Sequence, residues 1–227
     1  MALPQTAEQL AAWIDHTLLK PDARAAAIDQ LCAEARERRM CSVCVNPTWI
    51  ARAKRALAGS EVRVCTVIGF PLGANDSQIK RVEAEHAIAA GADELDMVLA
   101  IGRLLDGELD LVERDVAGVV EAAQGRVVKV ILETALLDEP RIEQACVRAV
   151  AGGAGFVKTS TGFGPGGATI EAVRRMRQTV GPAIGVKASG GIRDAATARA
   201  MIEAGATRLG TSASLAILDA WTADPAP

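Results

Sequence analysis

Residues 155–189 read GFVKTSTGFGPGGATIEAVRRMRQTVGPAIGVKAS, and the fold is decided there. GFVKTS from Gly155 and AIGVKAS from Ala183 are short runs with strand character, and the segment between them has a helical period. A strand, a helix and a second strand in so short a span form a βα crossover unit, whose strands must be parallel. The pattern continues upstream as WIDHTLL from Trp13, SVCV from Ser42, EVRVCTVIGF from Glu61, DELDMVLA from Asp93 and RVVKVILET from Arg126, and downstream as TRLGTS from Thr207. Such runs recur at intervals of roughly 20 to 35 residues, the length of a βα unit.

The segments between the runs read as amphipathic helices. After Pro21 and Asp22, taken as an N-cap, Ile28, Leu31, Cys32 and Ala35 recur at i, i+3, i+4 and i+7. Asn75 is expected to open a helix that Gly91 closes, and Asp194 one that Gly205 closes. Unbroken alternation implies a parallel sheet with helices outside. Eight units can close on themselves, so a (β/α)8 TIM barrel fits better than an open sheet. No linker or low-complexity stretch interrupts it, which predicts one domain over residues 1–227.

Composition excludes several function classes. Of 227 residues half are apolar, aromatics make up 3% and tyrosine is absent, so Ala, Val, Ile and Leu must fill the core. The net charge of −3 comes with interleaved acids and bases, and without a basic stripe no nucleic-acid partner is expected. No apolar run suggests a membrane span, and the opening MALPQTAEQLAAW lacks the pattern of a secretory signal. Five cysteines favour reduced thiols in the cytosol. Cys41 and Cys44 form a lone CxxC with no second pair or nearby histidine to complete a zinc site. His16 and His86 are too few for a metal cluster; His16 reads as a structural hydrogen-bonder and His86 as solvated.

In a barrel of this kind catalytic groups gather at the C-terminal ends of the strands. Lys158 and Lys187 each follow a valine there. Strand alternation turns Val157 and Val186 toward the helices and both lysines toward the axis. Gly185 is inward too and is expected to leave room beside Lys187. Two converging ammonium groups in a partly dry cavity disfavour each other's charged forms, and a lysine with a lowered pKa is the nucleophile of Schiff-base chemistry. The residues alone leave open a second reading, in which each lysine pairs with a carboxylate or reaches out at the rim. Asp96 and Asp15 stand at comparable strand positions, as proton relays through water or as ordinary ion pairs. Lys129, Ile131 and Glu133 share one face, and Lys129 and Glu133 are expected as a buried pair ordering the site.

GGIR at Gly190–Arg193 and LGTSAS at Leu209–Ser214 follow the seventh and eighth runs, the usual phosphate position of this barrel. Glycines let backbone N–H groups approach an anion, and a helix N-terminus adds partial positive charge. Tight turns without a ligand remain the alternative. The run GFGPGG from Gly162 superficially imitates a dinucleotide loop, but it comes late in the chain and carries Pro165.

IDHTLLKP, SVCVNP, VCTVIGFPLG, ELDMVL, KVILET, GFVKTSTGF, GVKASGGIR and LGTS occur in order over nearly the whole chain. Together they resemble the deoxyribose-phosphate aldolases, a class I aldolase family. The resemblance implies reversible cleavage of 2-deoxy-D-ribose 5-phosphate to glyceraldehyde 3-phosphate and acetaldehyde, a homodimer, and neither metal nor organic cofactor. It implies that Lys158 forms the Schiff base, that Lys187 lowers its pKa, and that Asp96 moves protons through water. Cys44 would line the pocket near the aldehyde, and Asp15, Thr17 and Lys129 match polar positions of the family's site. Gly190, Gly191, Arg193, Gly210 and Ser212 match its phosphate loops, and Gly162 is counted with the substrate-binding set. The chain departs from some members in three places. Phe163 stands where a phosphate-binding lysine can occur, Ala213 where a second serine can follow Ser212, and the C-terminal DPAP where others end in a tyrosine.

Overall fold

The protein, a computed structural model, is described over residues 3–222, so the terminal DPAP lies outside the described residues. All eight predicted strands form: β1 (Ile14–Leu18), β2 (Ser42–Val45), β3 (Arg63–Ile68), β4 (Glu94–Val98), β5 (Val127–Ile131), β6 (Phe156–Lys158), β7 (Gly185–Ser189) and β8 (Arg208–Thr211). They run parallel and close into a barrel in chain order, with Asp15 of β1 in register with Gly210 of β8. Helices α2 (Ala25–Glu37), α3 (Ile50–Ala56), α4 (Ser77–Ala89), α6 (Leu109–Ala122), α7 (Glu139–Ala151), α8 (Ile170–Val180) and α9 (Ala195–Glu203) connect the strands, and α10 (Ser214–Asp219) follows the last. Two short helices were not read from the sequence: α1 (Ala7–Ala11), capped by the Thr6 side chain, and α5 (Ile101–Leu105) ahead of α6.

Alternation along the strands separates two interiors. Leu95, Met97, Val130, Val157, Val186 and Leu209 point outward and join Ile28, Leu31, Cys32 and Ala35 of α2 in one apolar layer between sheet and helices. Each such side chain contributes about 1.5–3 kcal/mol when fully buried, and this layer holds the barrel closed. The inward positions carry charge instead, described below. His16 points outward too, and is buried between Ser214 at the start of α10 (Nδ1–Oγ 2.8 Å) and Glu34 of α2 (Nε2–Oε2 2.8 Å), the structural role expected of it. His86 is exposed, also as expected.

Several local expectations need correction. Asp22 does not cap α2, which starts at Ala25 behind Arg24 with no side-chain cap. The cap of α4 is Asp76, whose Oδ1 accepts from Gln78 N at 2.8 Å; Asn75 lies one residue too early. Asp194 does cap α9, accepting from Thr197 N at 2.7 Å. Gly185 leaves no room beside Lys187, because a Cβ there would lie 2.1 Å from the ring of Phe156, which fills the space.

Candidate active site

The β6–β7 register sets Lys158 beside Lys187, and the β4–β5 register sets Asp96 beside Lys129. Inside the barrel these four groups meet. Lys158 Nζ and Lys187 Nζ each lie 2.8 Å from Asp96 Oδ2, and Lys129 Nζ lies 2.8 Å from Asp96 Oδ1. Lys187 also donates to Asp15 Oδ2 at 2.5 Å, while Asp15 Oδ1 accepts from Ser42 and Arg208, each at 2.7 Å. Lys129 reaches Glu94 Oε2 at 2.7 Å. Glu94, Arg208 and Cys65 are members that the sequence reading missed. Stepping back two residues from Asp96 and Gly210, along the inward face, points to Glu94 and Arg208.

Electrostatics follows from this packing. Burial alone would raise the carboxyl of Asp96, but Lys129, Lys158 and Lys187 outweigh it and hold Asp96 well below the usual carboxylate range. Asp15 is lowered too, with Lys187, Lys129 and Arg208 overcoming its burial. Burial opposes the charge of Lys187, yet Asp15 and Asp96 raise its proton affinity, so Lys187 is a firm cation. Lys129 is raised in the same way, chiefly by Asp96. Cys44 and Cys65 face each other in register on β2 and β3, and the Cys65 thiol also donates to Asp96 Oδ1 at 3.1 Å. A hydrogen bond with Cys65 pulls the Cys44 thiol down, whereas burial pushes Cys65 well up.

Above this array opens a cleft of about 400 Å3 at the C-terminal end of the barrel. Lys158, Thr17, Gly162, Gly190, Gly191, Arg193, Gly210 and Ser212 line it, so the structure brings the lysine and the predicted phosphate loops to one cavity. Lys187, Asp96, Asp15, Lys129 and Cys44 lie outside the cleft lining with no exposed surface. Cys44 packs with Leu19, Cys65, Val67 and Phe70. Arg193 and Lys20, at the rim, are exposed and have no ion-pair partner among the described residues.

The glycines have separate physical reasons. Gly190 and Gly191 take φ of 84° and 81°, which side chains rarely adopt. A Cβ on Gly210 would come 2.9 Å from Lys187 Cε, so this glycine makes room for the lysine beneath the loop. In the GFGPGG run Gly167 packs on Gly190, where a Cβ would meet its carbonyl oxygen at 2.3 Å; the run joins two loops of the mouth.

One expected pair is absent. Glu133 lies beyond the end of β5 in a left-handed conformation (φ 55°), and its Oε2 accepts from the Thr161 hydroxyl at 2.5 Å and from its N–H at 3.2 Å. It therefore braces the loop after Lys158 and does not pair with Lys129, because the strand ends at Ile131 and the alternation stops with it. Phe163, in that loop, is 51% exposed and meets Phe70 edge to face at 5.4 Å.

Two triads, Cys44–Cys65–Asp96 and Asp15–Cys65–Glu94, have donor atoms within 4.8 Å of one another. Each of their carboxylate oxygens already accepts from a lysine or arginine, so a metal ion there would have to displace those cations.

Comparison with known proteins agrees with this geometry. Residues 10–220 match the family described as DeoC/LacD family aldolase. The chain belongs to that family. It is an aldolase, a carbon–carbon lyase. A deoxyribose-phosphate aldolase of Brevibacillus brevis is 58% identical over 206 residues, 91% of this chain and 93% of that protein. One from an Exiguobacterium species is 56% identical over 217 residues, 95% and 98% of the two chains. The solved deoxyribose phosphate aldolase of Aeropyrum pernix, described as a unique tetramer, superposes with a TM-score of 0.88 at 37% identity, covering 94% of this chain and 91% of that one. In this aldolase no helix among the described residues is long and apolar enough to cross a membrane.

Proposed function

We propose that this aldolase reversibly cleaves 2-deoxy-D-ribose 5-phosphate to D-glyceraldehyde 3-phosphate and acetaldehyde through a Schiff base on Lys158, as a cytosolic, single-domain homodimer in deoxyribose phosphate catabolism. The observation that carries this reading is a count of charge. The linked buried array holds three carboxylates, Asp15, Glu94 and Asp96, against four cations, Lys129, Lys158, Lys187 and Arg208. Lys187, Lys129 and Arg208 each touch at least two of the carboxylates. Lys158 touches one, shares it, and alone of the four lines the cleft. It is the cation of the array with the fewest carboxylate contacts, and its nitrogen is the one a substrate can reach.

In the cleavage direction the open-chain sugar places its phosphate among the glycine loops and Arg193, with its aldehyde at Lys158. The neutral amine adds to C1, and the carbinolamine takes up a proton from water and loses its hydroxyl as water to form an iminium, an electron sink. With the Lys158 nitrogen bonded to carbon, Asp96 Oδ2, still held by Lys187, takes the C3 hydroxyl proton through water as the C2–C3 bond breaks. Glyceraldehyde 3-phosphate leaves as the aldehyde. The enamine is protonated at C2, and hydrolysis returns acetaldehyde and Lys158. The names of relatives 56–58% identical over more than nine-tenths of the chain support the substrate.

The test combines turnover of 2-deoxyribose 5-phosphate with borohydride trapping of acetaldehyde and peptide mass spectrometry. One reduced two-carbon unit on Lys158 is expected. Labelling of Lys187 alone would reverse the assignment, and no labelling would remove the covalent mechanism. Light scattering checks the dimer, which a tetramer like that of the A. pernix protein would replace.

A further inference from the structure

A line of alternating charges runs from the mouth of the barrel to its opposite end. Lys158 Nζ holds Asp96 Oδ2 at 2.8 Å, and Asp96 Oδ1 holds Lys129 Nζ at 2.8 Å. Lys129 then holds Glu94 Oε2 at 2.7 Å, and Glu94 Oε1 ends the line on Arg63 NH1 at 3.1 Å. Glu94, Asp96 and Lys129 are buried, whereas the Arg63 side chain, at the first position of β3, is 51% exposed. Arg63 borders a separate cleft near the strand N-termini with Cys41, and neither Arg63 nor Glu94 borders the cleft that holds Lys158.

We propose that Glu94 and Arg63 are positioning residues that set, from the far end of the barrel, how readily Lys158 releases its proton. The inference rests on the reading of Lys158 as the Schiff-base former. Lys158 is bonded to Asp96 of β4, which also holds Lys187 of β7, Lys129 of β5 and the Cys65 thiol of β3. Cys44 of β2 lies near enough for Lys158 to act on it, Asp15 of β1 and Arg208 of β8 stand behind Lys187, and Lys20 and Arg193 share the cleft of Lys158. Among the described residues Asp96 is the only carboxylate bonded to Lys158, and what it offers depends on how fully Lys129 occupies its other oxygen. Glu94 competes with Asp96 for Lys129, and Arg63 and Arg208 both compete with Lys129 for Glu94. In a dry interior such competitions travel farther than they would in water.

The signs follow. Removing the charge of Glu94 leaves Lys129 to Asp96 at 2.8 Å, with Asp15 farther off at 3.8 Å, weakens the hold of Asp96 on the Lys158 proton, and takes a negative charge from the array. Both effects favour the free amine. Removing the charge of Arg63 releases Glu94 to Lys129, leaves Asp96 to Lys158 and takes away a positive charge. Both effects favour the ammonium. Neither residue touches substrate, so a role confined to folding would not move a pH profile in opposite directions.

The experiment is the pH dependence of cyanoborohydride trapping of acetaldehyde at Lys158, read on the labelled peptide, for the native enzyme, Glu94→Gln and Arg63→Gln. The acid limb is expected to move to lower pH in Glu94→Gln and to higher pH in Arg63→Gln, by about half a pH unit each, a roughly threefold change in rate at a fixed pH on the limb. Because Arg63 is half exposed, its variant keeps the test alive should Glu94→Gln fold poorly. Limbs that coincide with the native one, or that move the same way, would overturn the inference while leaving the Schiff base standing. A native enzyme unlabelled at Lys158 would instead overturn the reading beneath it.

Discussion

Lys80, outside the barrel, and Lys158, inside it, are both buried lysines held by an aspartate, yet they are prepared for different work. Lys80 of α4 donates to Asp115 Oδ2 of α6 at 2.6 Å and to the carbonyl of Val98 at 3.0 Å, with neither side chain exposed. One cation meets one carboxylate, a backbone carbonyl at the end of β4 accepts a further hydrogen bond, and helices cover the pair. Lys158 shares one carboxylate oxygen with Lys187 in an array with a surplus of positive charge, and one of its faces borders a cleft. Burial and an ion pair are thus common to a structural and a chemical lysine. Local charge balance and access separate them.

The contrast is broken or sharpened most strongly by exchanging each lysine for methionine. Lys158→Met should lower aldolase turnover by at least about a thousandfold, on the order of 4 kcal/mol in the barrier, and abolish trapping. Its thermal midpoint should stay at or above that of the native protein, because the array sheds one positive charge of its surplus while Asp96 keeps Lys129 and Lys187. Lys80→Met should do the reverse: trapping per folded molecule stays, while about 3–5 kcal/mol of stability is lost because Asp115 is stranded without its cation. A large loss of stability in Lys158→Met would mean that the two lysines are alike after all.

Acid should find the interior next. Asp15 and Asp96 are held below their ordinary values, so their contribution to stability is full above about 3.9, the value in an unfolded chain, and is lost as the pH falls below it. At pH 3 each should cost about 1 kcal/mol, lowering the thermal midpoint by several degrees relative to pH 7. A midpoint unchanged between pH 5 and pH 3 would mean that these carboxylates are not ionised in the fold. The smallest effect is expected at the rim. Arg193→Ala should raise KM for the phosphorylated sugar about tenfold and leave acetaldehyde trapping unchanged, since Arg193 is exposed and the backbone amides of the glycine loops carry part of the grip. Equal loss with unphosphorylated deoxyribose would make Arg193 a prop of the loop.

The eight strands and the inward direction of Lys158, Lys187, Asp96 and Lys129 were legible because a period of two is a local property of the chain. The caps show the limit of that reading: Asp194 was found, but Asp76 was missed by one residue because Asn75 and Asp76 are both plausible caps side by side. Glu133 marks a second limit. Its alternation with Lys129 and Ile131 predicts an inward carboxylate, but the chain leaves the strand at Ile131 and turns it onto Thr161.

Residue order alone thus settled that Lys158 and Lys187 face the axis at the ends of neighbouring strands, since face and spacing within a strand follow from backbone geometry. Who pairs with whom was settled only by closing the barrel. Closure sets Arg208 of the last strand 2.7 Å from Asp15 of the first, and fills the space beside Gly185 with Phe156. It also sorts Lys80, in SQIKRVEAEH, from Lys158, in GFVKTS. Both need a carboxylate to be buried, and the excess of cations over carboxylates around a lysine is a sum over strands distant in sequence, which no local pattern contains.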